Sequence, residues 1–436
     1  MINLKSIHYL YYIIVLLTVL PVRAQLHVNS NNYSPISITP PPSSGLSSVW
    51  IVYDISDINI SYDLSLDENY NIKWYKFSKL GAAYAEEITD IIIDNGRARL
   101  SNPEGDMGYV IEHNGSFSYF WIVDYKSAAF DVKGIMISPE SDCEQTIIDI
   151  DGIAPTLAYH SINGQRIVID RQIQLTYQSL QWNIEQIEYE QIETTQNIAD
   201  LSQSIYTATP LCNTIFTLQG DRFLESWGMP ISVESETYYT SAVEVNAVAS
   251  RTNPDNKSSD LGGSAPAIIN FDGYFTDATI FREWQIAKDS EFEDIIYRFS
   301  DDKITYTFNE SGSYYARFFG ANAEGCCESS SETFEISIGE SRLECPNAFS
   351  PESDIESART WRVSYNSIVE FECFIFNRYG IQLYSYTDPA GGWDGKYKGK
   401  TVGTGVYFYV ITARGADGKK YNLKGDINVL KLKNTQ

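Results

Sequence analysis

The chain has 436 residues, of which 43% are hydrophobic and 14% aromatic, and its formal net charge is −25. At roughly 100–150 residues per domain, this length predicts three or four domains with packed cores. The charge is uneven, because residues 25–340 hold 17 lysines and arginines against 47 acids, whereas residues 341–436 hold 13 against 10. An acidic body repels phosphate backbones, so nucleic acid is excluded as a partner.

The N-terminal segment has the pattern of a secretory signal peptide over residues 1–24. Lys5 precedes an apolar run over residues 9–20, and small residues before position 25 predict cleavage between Ala24 and Gln25. A membrane anchor is the alternative, but so short an apolar run does not span a bilayer. We therefore expect no transmembrane segment after signal removal. Gln25 in place of a cysteine also argues against a lipid anchor.

Composition breaks divide the rest of the chain. Consecutive prolines favour an extended conformation, and a polar stretch rich in Pro, Gly and Ser is typical of a linker. A softer break falls near residue 143. The predicted segments are a Pro/Ser leader at 25–45, β domains at 46–142 and 143–250, a linker at 251–264, a β domain at 265–340 and a terminal domain at 345–436.

Two-residue alternation of apolar and polar side chains predicts strands almost throughout, and 31 tyrosines favour them further. Residues 184–205 are compatible with either a helix or a long amphipathic strand pair. The expected fold class is all-β, with tandem Ig-like β-sandwich domains and a small C-terminal antiparallel β domain. Residues 265–340 place Trp284 in a strand and a tyrosine-bearing strand after a glycine turn. This pattern resembles the polycystic-kidney-disease (PKD) type of Ig-like module.

An exported chain can oxidise its cysteines. A bond between Cys143 and Cys212 would close one domain, and a bond between Cys345 and Cys373 would close the terminal domain. Six cysteines allow fifteen pairings, so the choice stays open. The adjacent pair at 326–327 fits neither pairing, and the cysteine spacing is not that of a zinc site.

The terminal segment carries a series of short motifs. They read Pro346-Asn347-Ala348-Phe349-Ser350-Pro351, Phe376-Asn377-Arg378-Tyr379-Gly380, Gly392-Trp393-Asp394-Gly395, Gly405-Val406-Tyr407 and Lys424-Gly425. In this order and spacing they resemble the gliding motility-associated C-terminal domain, the type B sorting domain of the type IX secretion system in Bacteroidota. The resemblance implies passage through the periplasm, recognition by the outer-membrane translocon, and a final place at the cell surface or in the medium.

One loop departs from that family. Where the family usually has Asn-Gly-Asp-Gly-x-Asn-Asp, residues 352–359 read Glu-Ser-Asp-Ile-Glu-Ser-Ala-Arg. A hard cation needs several convergent oxygens, and the loop supplies only Glu352, Asp354 and Glu356. We expect no metal site and no cofactor.

The sequence favours a non-catalytic surface or secreted protein that serves in adhesion, ligand binding or structure, with a glycan or a protein as the unidentified ligand. The alternative is an exported glycan-active hydrolase that uses a pair of carboxylates. Because no serine elbow, H-E-x-x-H or Cys/His constellation occurs, no catalytic residue is assigned. His113 and His160 are expected to be structural, and residues 149–155, with the sequence DIDGIAP, are expected to form a turn.

The tryptophans have two interpretations. They could form a platform that stacks on sugar rings, or they could pack in cores, and strand-like surroundings favour the core. The residues concerned are Trp50, Trp74, Trp121, Trp182 and Trp227.

Overall fold

The structure is a computed structural model that describes residues 26–64, 71–252 and 261–431. Within these ranges the chain is built almost entirely from strands, with one short α-helix, and the all-β class is confirmed. No helix in the described ranges is long and apolar enough to cross a membrane. The predicted signal peptide and the cleavage site at Ala24 and Gln25 lie outside the described residues.

Ten strands form the first unit, in two packed sheets. They are β1 Leu26–Ser30, β2 Ile36–Ile38, β3 Ser48–Val52, β4 Ile58–Asp63, β5 Ile72–Phe77, β6 Glu86–Ile88, β7 Ile91–Asp94, β8 Arg97–Leu100, β9 Met107–His113 and β10 Ser116–Asp124. One sheet has the order β1-β4-β8-β7, and the other has the order β2-β3-β10-β9-β5-β6. Only the β3–β10 pairing in this unit is parallel.

The prediction of a separate leader at residues 25–45 is wrong. β1 pairs with β4, and β2 pairs with β3, so these residues belong to the two sheets of the first unit. Leu26 and Val28 pack into the same core as the later strands. The prolines affect only a short stretch, where Pro42 begins a 3-10 turn because its fixed φ suits the first helical position.

Nine strands and the helix form the second unit. They are β11 Asp131–Ile137, β12 Gln145–Ile153, β13 Ala158–His160, β14 Arg166–Val168, β15 Ile173–Asn183, β16 Glu188–Ile198, β17 Ile205–Ala208, β18 Thr217–Gly220, α1 Arg222–Ser226 and β19 Ile231–Glu234. The sheets have the orders β11-β12-β17, β13-β14 and β16-β15-β18-β19. The ambiguous run at 184–205 is therefore not a helix: it contains one long strand, β16, which pairs over its full length with β15, the strand that precedes the run.

The six-stranded sheet of the first unit is buried on both faces. Along β10, Phe120 and Ile122 point into the core of the first unit, whereas Trp121 and Val123 pack against the second unit. A strand that is covered on both faces reads as a continuous apolar run rather than an alternating one. Because β11 pairs with β12, the predicted boundary at 142/143 falls inside a hairpin of the second unit and is wrong.

A buried ionic network joins the first two units, and no motif in the sequence pointed to it. The Arg171 guanidinium donates to Asp221 Oδ2 at 2.7 Å, and Tyr125 donates to the same oxygen at 3.0 Å. Arg171 also donates to the carbonyls of Ala128 and Pro155. Asp221 Oδ1 caps the backbone of α1. Every partner is satisfied, which is the condition under which a buried charge is tolerated.

Eight strands form the third unit. They are β20 Val245–Arg251, β21 Ala267–Phe275, β22 Phe281–Ala287, β23 Ile295–Phe299, β24 Lys303–Phe308, β25 Gly312–Ala321, β26 Glu328–Ser330 and β27 Phe334–Ile338. One sheet is β20-β21-β24, the other is β23-β22-β25-β26, and β27 also pairs with β25. Trp284 is fully buried between these sheets, in contact with Phe271 and Phe318.

The predicted linker at 251–264 is wrong as a boundary between domains. β20 precedes it and β21 follows it, and these two strands pair antiparallel over residues 245–251 and 269–275. The segment is therefore a connection inside the third unit. Its polar, Pro/Gly/Ser-rich composition suits a long hairpin loop as well as a linker, so composition alone did not separate the two.

The pairing of Cys143 with Cys212, one of those that the sequence left open, does not form in this structure. Cys143 is bonded to Cys327, 184 residues away, because the β11–β12 turn of the second unit lies beside the β25–β26 turn of the third. Cys212 is free, and burial raises the pKa of its thiol. The Cys345–Cys373 bond, which the sequence also left open, does not form in this structure, where both thiols are free. Burial raises the pKa of Cys373 to about 12.

Nine strands form the C-terminal domain. They are β28 Arg342–Glu344, β29 Ala348–Phe349, β30 Ser364–Asn366, β31 Ile368–Phe376, β32 Gln382–Tyr386, β33 Lys396–Tyr397, β34 Lys400–Thr401, β35 Gly405–Gly415 and β36 Lys420–Val429. The main sheet has the order β29-β36-β35-β31-β32, and β28-β30 and β33-β34 form two small ribbons. The β29–β36 pairing is parallel.

Candidate functional site

The motif residues of the C-terminal domain converge at one end of its main sheet. Register places Phe376 opposite Phe408, Gly405 opposite Val429 and Ala348 opposite Asn428. Segments that are up to 80 residues apart in the chain therefore meet at the same sheet end. The region is the candidate functional site, and we call it the motif end of the sheet.

Trp393 is the centre of this region. Its side chain is fully buried, and its indole Nε1 donates to the Lys396 carbonyl at 3.0 Å. The ring packs on Phe349 at 5.5 Å and edge-on to Tyr407 at 5.4 Å. The loop that carries Trp393 is thereby attached to the sheet, which makes the tryptophan a structural anchor.

Trp361 is a second anchor, which the motif series did not include. Its backbone forms a two-way bridge with Trp393, through hydrogen bonds of 2.9 and 3.0 Å. Its indole Nε1 donates to the Pro346 carbonyl at 2.7 Å, and the Asn347 carbonyl accepts from Asn428. These bonds hold the first motif against the end of β36. An isolated Trp without neighbouring glycines gives no sequence signal for this role.

The turns of the site require their particular residues. Asn377 Oδ1 accepts from the backbone N–H groups of Tyr379 and Ile381, which closes the turn in which Gly380 has a φ of +79°. Asp394 Oδ1 accepts from Lys396 N at 3.0 Å. Side chains of this kind replace backbone partners in tight turns.

Gly395 is restricted both by its backbone and by its surroundings. Its φ is +73°, a conformation that costs energy for a residue with a side chain. A Cβ at this position would also collide with Cγ of Pro351. The two motifs that contain these residues are therefore in direct contact.

The remaining motif residues line β35 and β36. Tyr407 donates to the Gly403 carbonyl at 2.9 Å. Gly425 lies opposite Tyr409, and a Cβ there would approach the Tyr409 hydroxyl to 2.7 Å. Lys424 is exposed beside it, so it is available to a partner while its glycine neighbour serves packing.

A cleft of about 450 Å³ opens at the motif end. Arg378 Nη2 donates to the Tyr379 hydroxyl at 2.7 Å, and its guanidinium lies 4.8 Å from that ring. Lys398 lies 5.3 Å from the ring of Tyr397. The cleft therefore has one cation placed on an aromatic face, Arg378 on Tyr379, and Lys398 repeats the arrangement beside the lining residue Tyr397. Such an arrangement presents positive charge and apolar area together. Other residues of the lining are Asn377, Ile381, Leu383, Val402, Thr404, Gly405, Val406 and Tyr407.

One face of the main sheet is apolar and open to solvent. Val406, Phe408 and Val410 are 47%, 43% and 44% exposed although they lie in a central strand. Register places Phe376 opposite Phe408 and Phe374 opposite Val410. Central strands usually cover such side chains, and exposed apolar patches mark interaction surfaces. We call these five side chains the apolar strip.

The opposite end of the same sheet is ionic. Arg414 lies 2.6 Å from Glu370, and this contact holds the pKa of the Glu370 carboxyl below its usual range. The two ends of β35 thus differ in chemistry: the motif end is aromatic and cationic, whereas this end pairs its charges.

The acids of the divergent loop do not form a cluster. The loop is held instead by hydrogen bonds from Ser353 N to the Ser350 carbonyl and from Arg359 Nε to the Ser353 carbonyl. In the described ranges, the one group of three or more close metal-ligating side chains is Cys143, Cys326 and Cys327.

Trp74 and Trp121 are buried, and Trp227 packs with Tyr53 and Tyr125 at the joint between the first two units. Trp182 packs on Tyr189 and Tyr274, between the second and third units. The tryptophans therefore lie mainly in cores and joints.

His160 lies against the Trp121 ring, and burial lowers the pKa of its imidazole. His113 packs edge-on to Tyr62. The turn expected at 149–155 is wrong over most of its length, because residues 149–153 belong to β12. Asp149 accepts there from Ser204.

The fold and the motif end define a protein of consecutive Ig-like β units that is closed by a compact β domain. Family models match two parts of this chain: the Fibronectin type III domain matches residues 136–235, and the CHU_C Type IX secretion signal domain matches residues 343–429. The C-terminal domain is thus a type IX secretion signal domain. The protein is exported through the periplasm to the cell surface or the medium.

No curated protein matches the chain. Among solved structures, a tetra-tandem repeat from the extending region of a large adhesion protein is 12% identical, with a TM-score of 0.23, and the match covers 93% of this chain and 98% of that one. Three N-terminal domains of the bacteriophage RB49 Hoc capsid protein are 11% identical, with a TM-score of 0.21, and the match covers 70% of this chain and 100% of that one. Fibronectin(III)-like modules of Clostridium thermocellum CbhA are 11% identical, with a TM-score of 0.18, and the match covers 42% of this chain and 94% of that one.

Proposed function

We propose that the outer-membrane translocon of the type IX system recognises the motif end through its exposed residues. Buried motif residues such as Trp393 and Phe349 cannot contact a folded partner, so their role is to build the surface. Arg378 and Tyr379 are exposed at the cleft, and the apolar strip begins beside them. This division between buried scaffold and exposed rim is the observation that carries the proposal.

A reversal of charge at the cleft tests this recognition. Arg378→Glu should reduce the amount of protein at the surface and in the medium and increase the periplasmic amount, because it removes the cation that lies on Tyr379. Arg414→Glu is the matched control, since it changes another exposed arginine of the same sheet, beyond the cleft. Hydrogen exchange over residues 343–429 must show that both variants fold. Equal export of both variants would contradict the proposal.

We further propose that the three units before the signal domain form a non-catalytic surface protein, with ligand recognition by loops at the sandwich ends of residues 40–250. Two features support this function: the body is strongly acidic, and its units are firmly joined. Rigid β units that present end loops are a common arrangement for binding. The ligand class, glycan or protein, is left to experiment.

The full exported chain should be applied to glycan and protein-ligand arrays and, in parallel, to a polysaccharide-hydrolysis screen. Saturable binding without turnover is the expected result. Turnover that is abolished by a single Asp or Glu substitution would overturn the proposal and establish the alternative, a glycan-active hydrolase. Neither binding nor turnover would point to a structural surface role.

A further inference from the structure

Three sulfur atoms meet where the second and third units touch. Cys143 lies in the β11–β12 turn, and Cys326 and Cys327 lie at the end of the β25–β26 turn. Cys143 and Cys327 form the disulfide, and the free Cys326 Sγ lies 3.9 Å from Cys327 Sγ. All three sulfur atoms lie within 4.8 Å of one another. A free thiol is therefore in place beside a disulfide that joins two units.

The turn holds both adjacent cysteines in position. Asn322, itself buried, accepts at Oδ1 from the backbone N–H of Cys326 at 3.1 Å and of Cys327 at 3.2 Å. Its Nδ2 donates to the Cys326 sulfur at 3.3 Å. The two neighbours differ in access, because Cys326 is exposed whereas Cys327 is buried.

We propose that Cys143, Cys326 and Cys327 form a thiol–disulfide exchange site in which Cys326 is the attacking group. The Cys326 thiolate attacks the sulfur of Cys143, a Cys143–Cys326 bond forms, and the Cys143–Cys327 bond breaks. The bonding electron pair leaves on the Cys327 sulfur, which takes up one proton in exchange for the one that Cys326 released. No oxidant or reductant is consumed, because one disulfide and one thiol are present before and after.

As a product, a Cys143–Cys326 bond suits disulfide geometry better than a bond between the two neighbours. Cα atoms of consecutive residues are about 3.8 Å apart, whereas bonded cysteines usually have Cα atoms about 4.4–6.8 Å apart. In-line attack on Cys143 requires the exposed Cys326 side chain to rotate away from Cys327, because its sulfur now lies beside the Cys143–Cys327 bond. The departing Cys327 sulfur has a polar neighbour, since the Ser241 hydroxyl lies 3.7 Å away. The hydroxyl can donate to the thiolate that forms there.

Both isomers keep the second unit tied to the third. What alternates is the free thiol, which is exposed at Cys326 in one isomer and buried at Cys327 in the other. The cross-link can therefore form whichever of the two neighbours reacts first with Cys143. This suits a chain that must complete its disulfide during export.

Disulfide mapping of the full exported chain tests the proposal. The protein is acid-quenched, alkylated with N-ethylmaleimide and digested without reduction, and the linked and labelled peptides are identified by mass spectrometry. Wild type should contain both isomers, with Cys327 labelled in a minority of molecules. Cys326→Ser should reduce Cys327 labelling to background, whereas Cys212→Ser, a change outside the cluster, should leave it as in wild type.

The Cys327→Ser variant gives the second readout. It should remain monomeric and carry a Cys143–Cys326 bond. Cys143 and Cys326 both labelled in that variant, or a dimer linked through Cys326, would overturn the proposal. Wild-type protein in which Cys327 is never labelled would overturn it as well, and that result needs no variant to fold.

Discussion

Trp393 stabilises the C-terminal domain more than any exposed residue can, because it joins a loop to the sheet through its ring and its indole N–H. Trp393→Ala should destabilise residues 343–429 by about 3–5 kcal/mol, the usual range for removing a large buried aromatic. Hydrogen exchange of this segment in the full chain measures the effect. Ile355→Ala, at a 64% exposed position of the same domain, is the control and should change stability by less than about 0.5 kcal/mol. Equal protection in both variants would mean that Trp393 does not anchor the loop.

The buried ion pair of Arg171 and Asp221 predicts that removing one partner destabilises the protein more than removing both. Asp221→Ala leaves a guanidinium buried without its partner and should cost about 3–5 kcal/mol. The double change Arg171→Met and Asp221→Leu removes both charges, so it should recover much of the loss. Urea unfolding of the full chain, followed at the joint between the first two units, gives the comparison. A double variant as unstable as Asp221→Ala would show that the ion pair itself is not the cause.

Two glycines in turns of the C-terminal domain allow the cost of backbone strain to be measured separately from the cost of a side-chain collision. Gly395 and Gly399 both have positive φ, at +73° and +79°, but only a Cβ at Gly395 would meet Pro351, whereas Gly399 has no other atom within 4 Å of such a Cβ. Gly399→Ala should therefore cost about 1 kcal/mol for the left-handed backbone. Gly395→Ala should cost clearly more. Equal losses in thermal stability would remove the contact between the two motifs from the explanation.

A 3-10 turn in the first unit provides a pH test. Asp54 accepts from Ser56 and from Lys126, mainly the latter, and these bonds lower the pKa of its carboxyl to about 2. Because the pKa of Asp54 is lower in the folded state than in the unfolded state, its ionised carboxylate stabilises the fold. This stabilisation is complete at a pH above the ordinary carboxyl pKa near 4, and it is lost as the pH falls towards 2. The stability difference between wild type and Lys126→Met should therefore shrink between pH 5 and pH 2.5.

We expect this change in stability to be small, because Lys126 is largely exposed and solvent screens its interaction with Asp54. Urea midpoints at the two pH values measure it, and Lys133→Met, at an exposed lysine of β11, is the control. A difference that stays constant with pH would contradict the assignment to Asp54.

At the scale of the whole molecule, neighbouring units are joined by specific contacts. Tyr125, which follows β10 of the first unit, hydrogen-bonds to Arg171 and Asp221 of the second. The disulfide and the hydrogen bond from Asn246 to Tyr189 join the second and third. Ser367 accepts from Ala265 N and donates to the Gly339 carbonyl, which attaches the signal domain to the third unit.

The parts of this arrangement that local patterns determine could be predicted from the sequence. Alternation predicts strands, and the turn residues around Trp393 and Gly395 follow from local backbone chemistry. Pairings between distant segments could not be predicted in this way. The partner of Cys143 depends on how the second and third units pack. The unit to which β20 belongs depends on its pairing with β21, and the segment between these two strands has the composition of a linker. Arg171 has no motif, because its role exists only once Asp221 is brought beside it.

The C-terminal domain directs export, and deletion of residues 341–436 removes the whole of it. The truncated protein, synthesised with its signal peptide, should reach the periplasm, lose that peptide and remain there. Residues 341–436 fused to an unrelated periplasmic protein should move that protein to the surface or the medium. Fractionation followed by immunoblotting measures both. Normal amounts of the truncated protein at the surface or in the medium would show that export does not depend on the C-terminal domain.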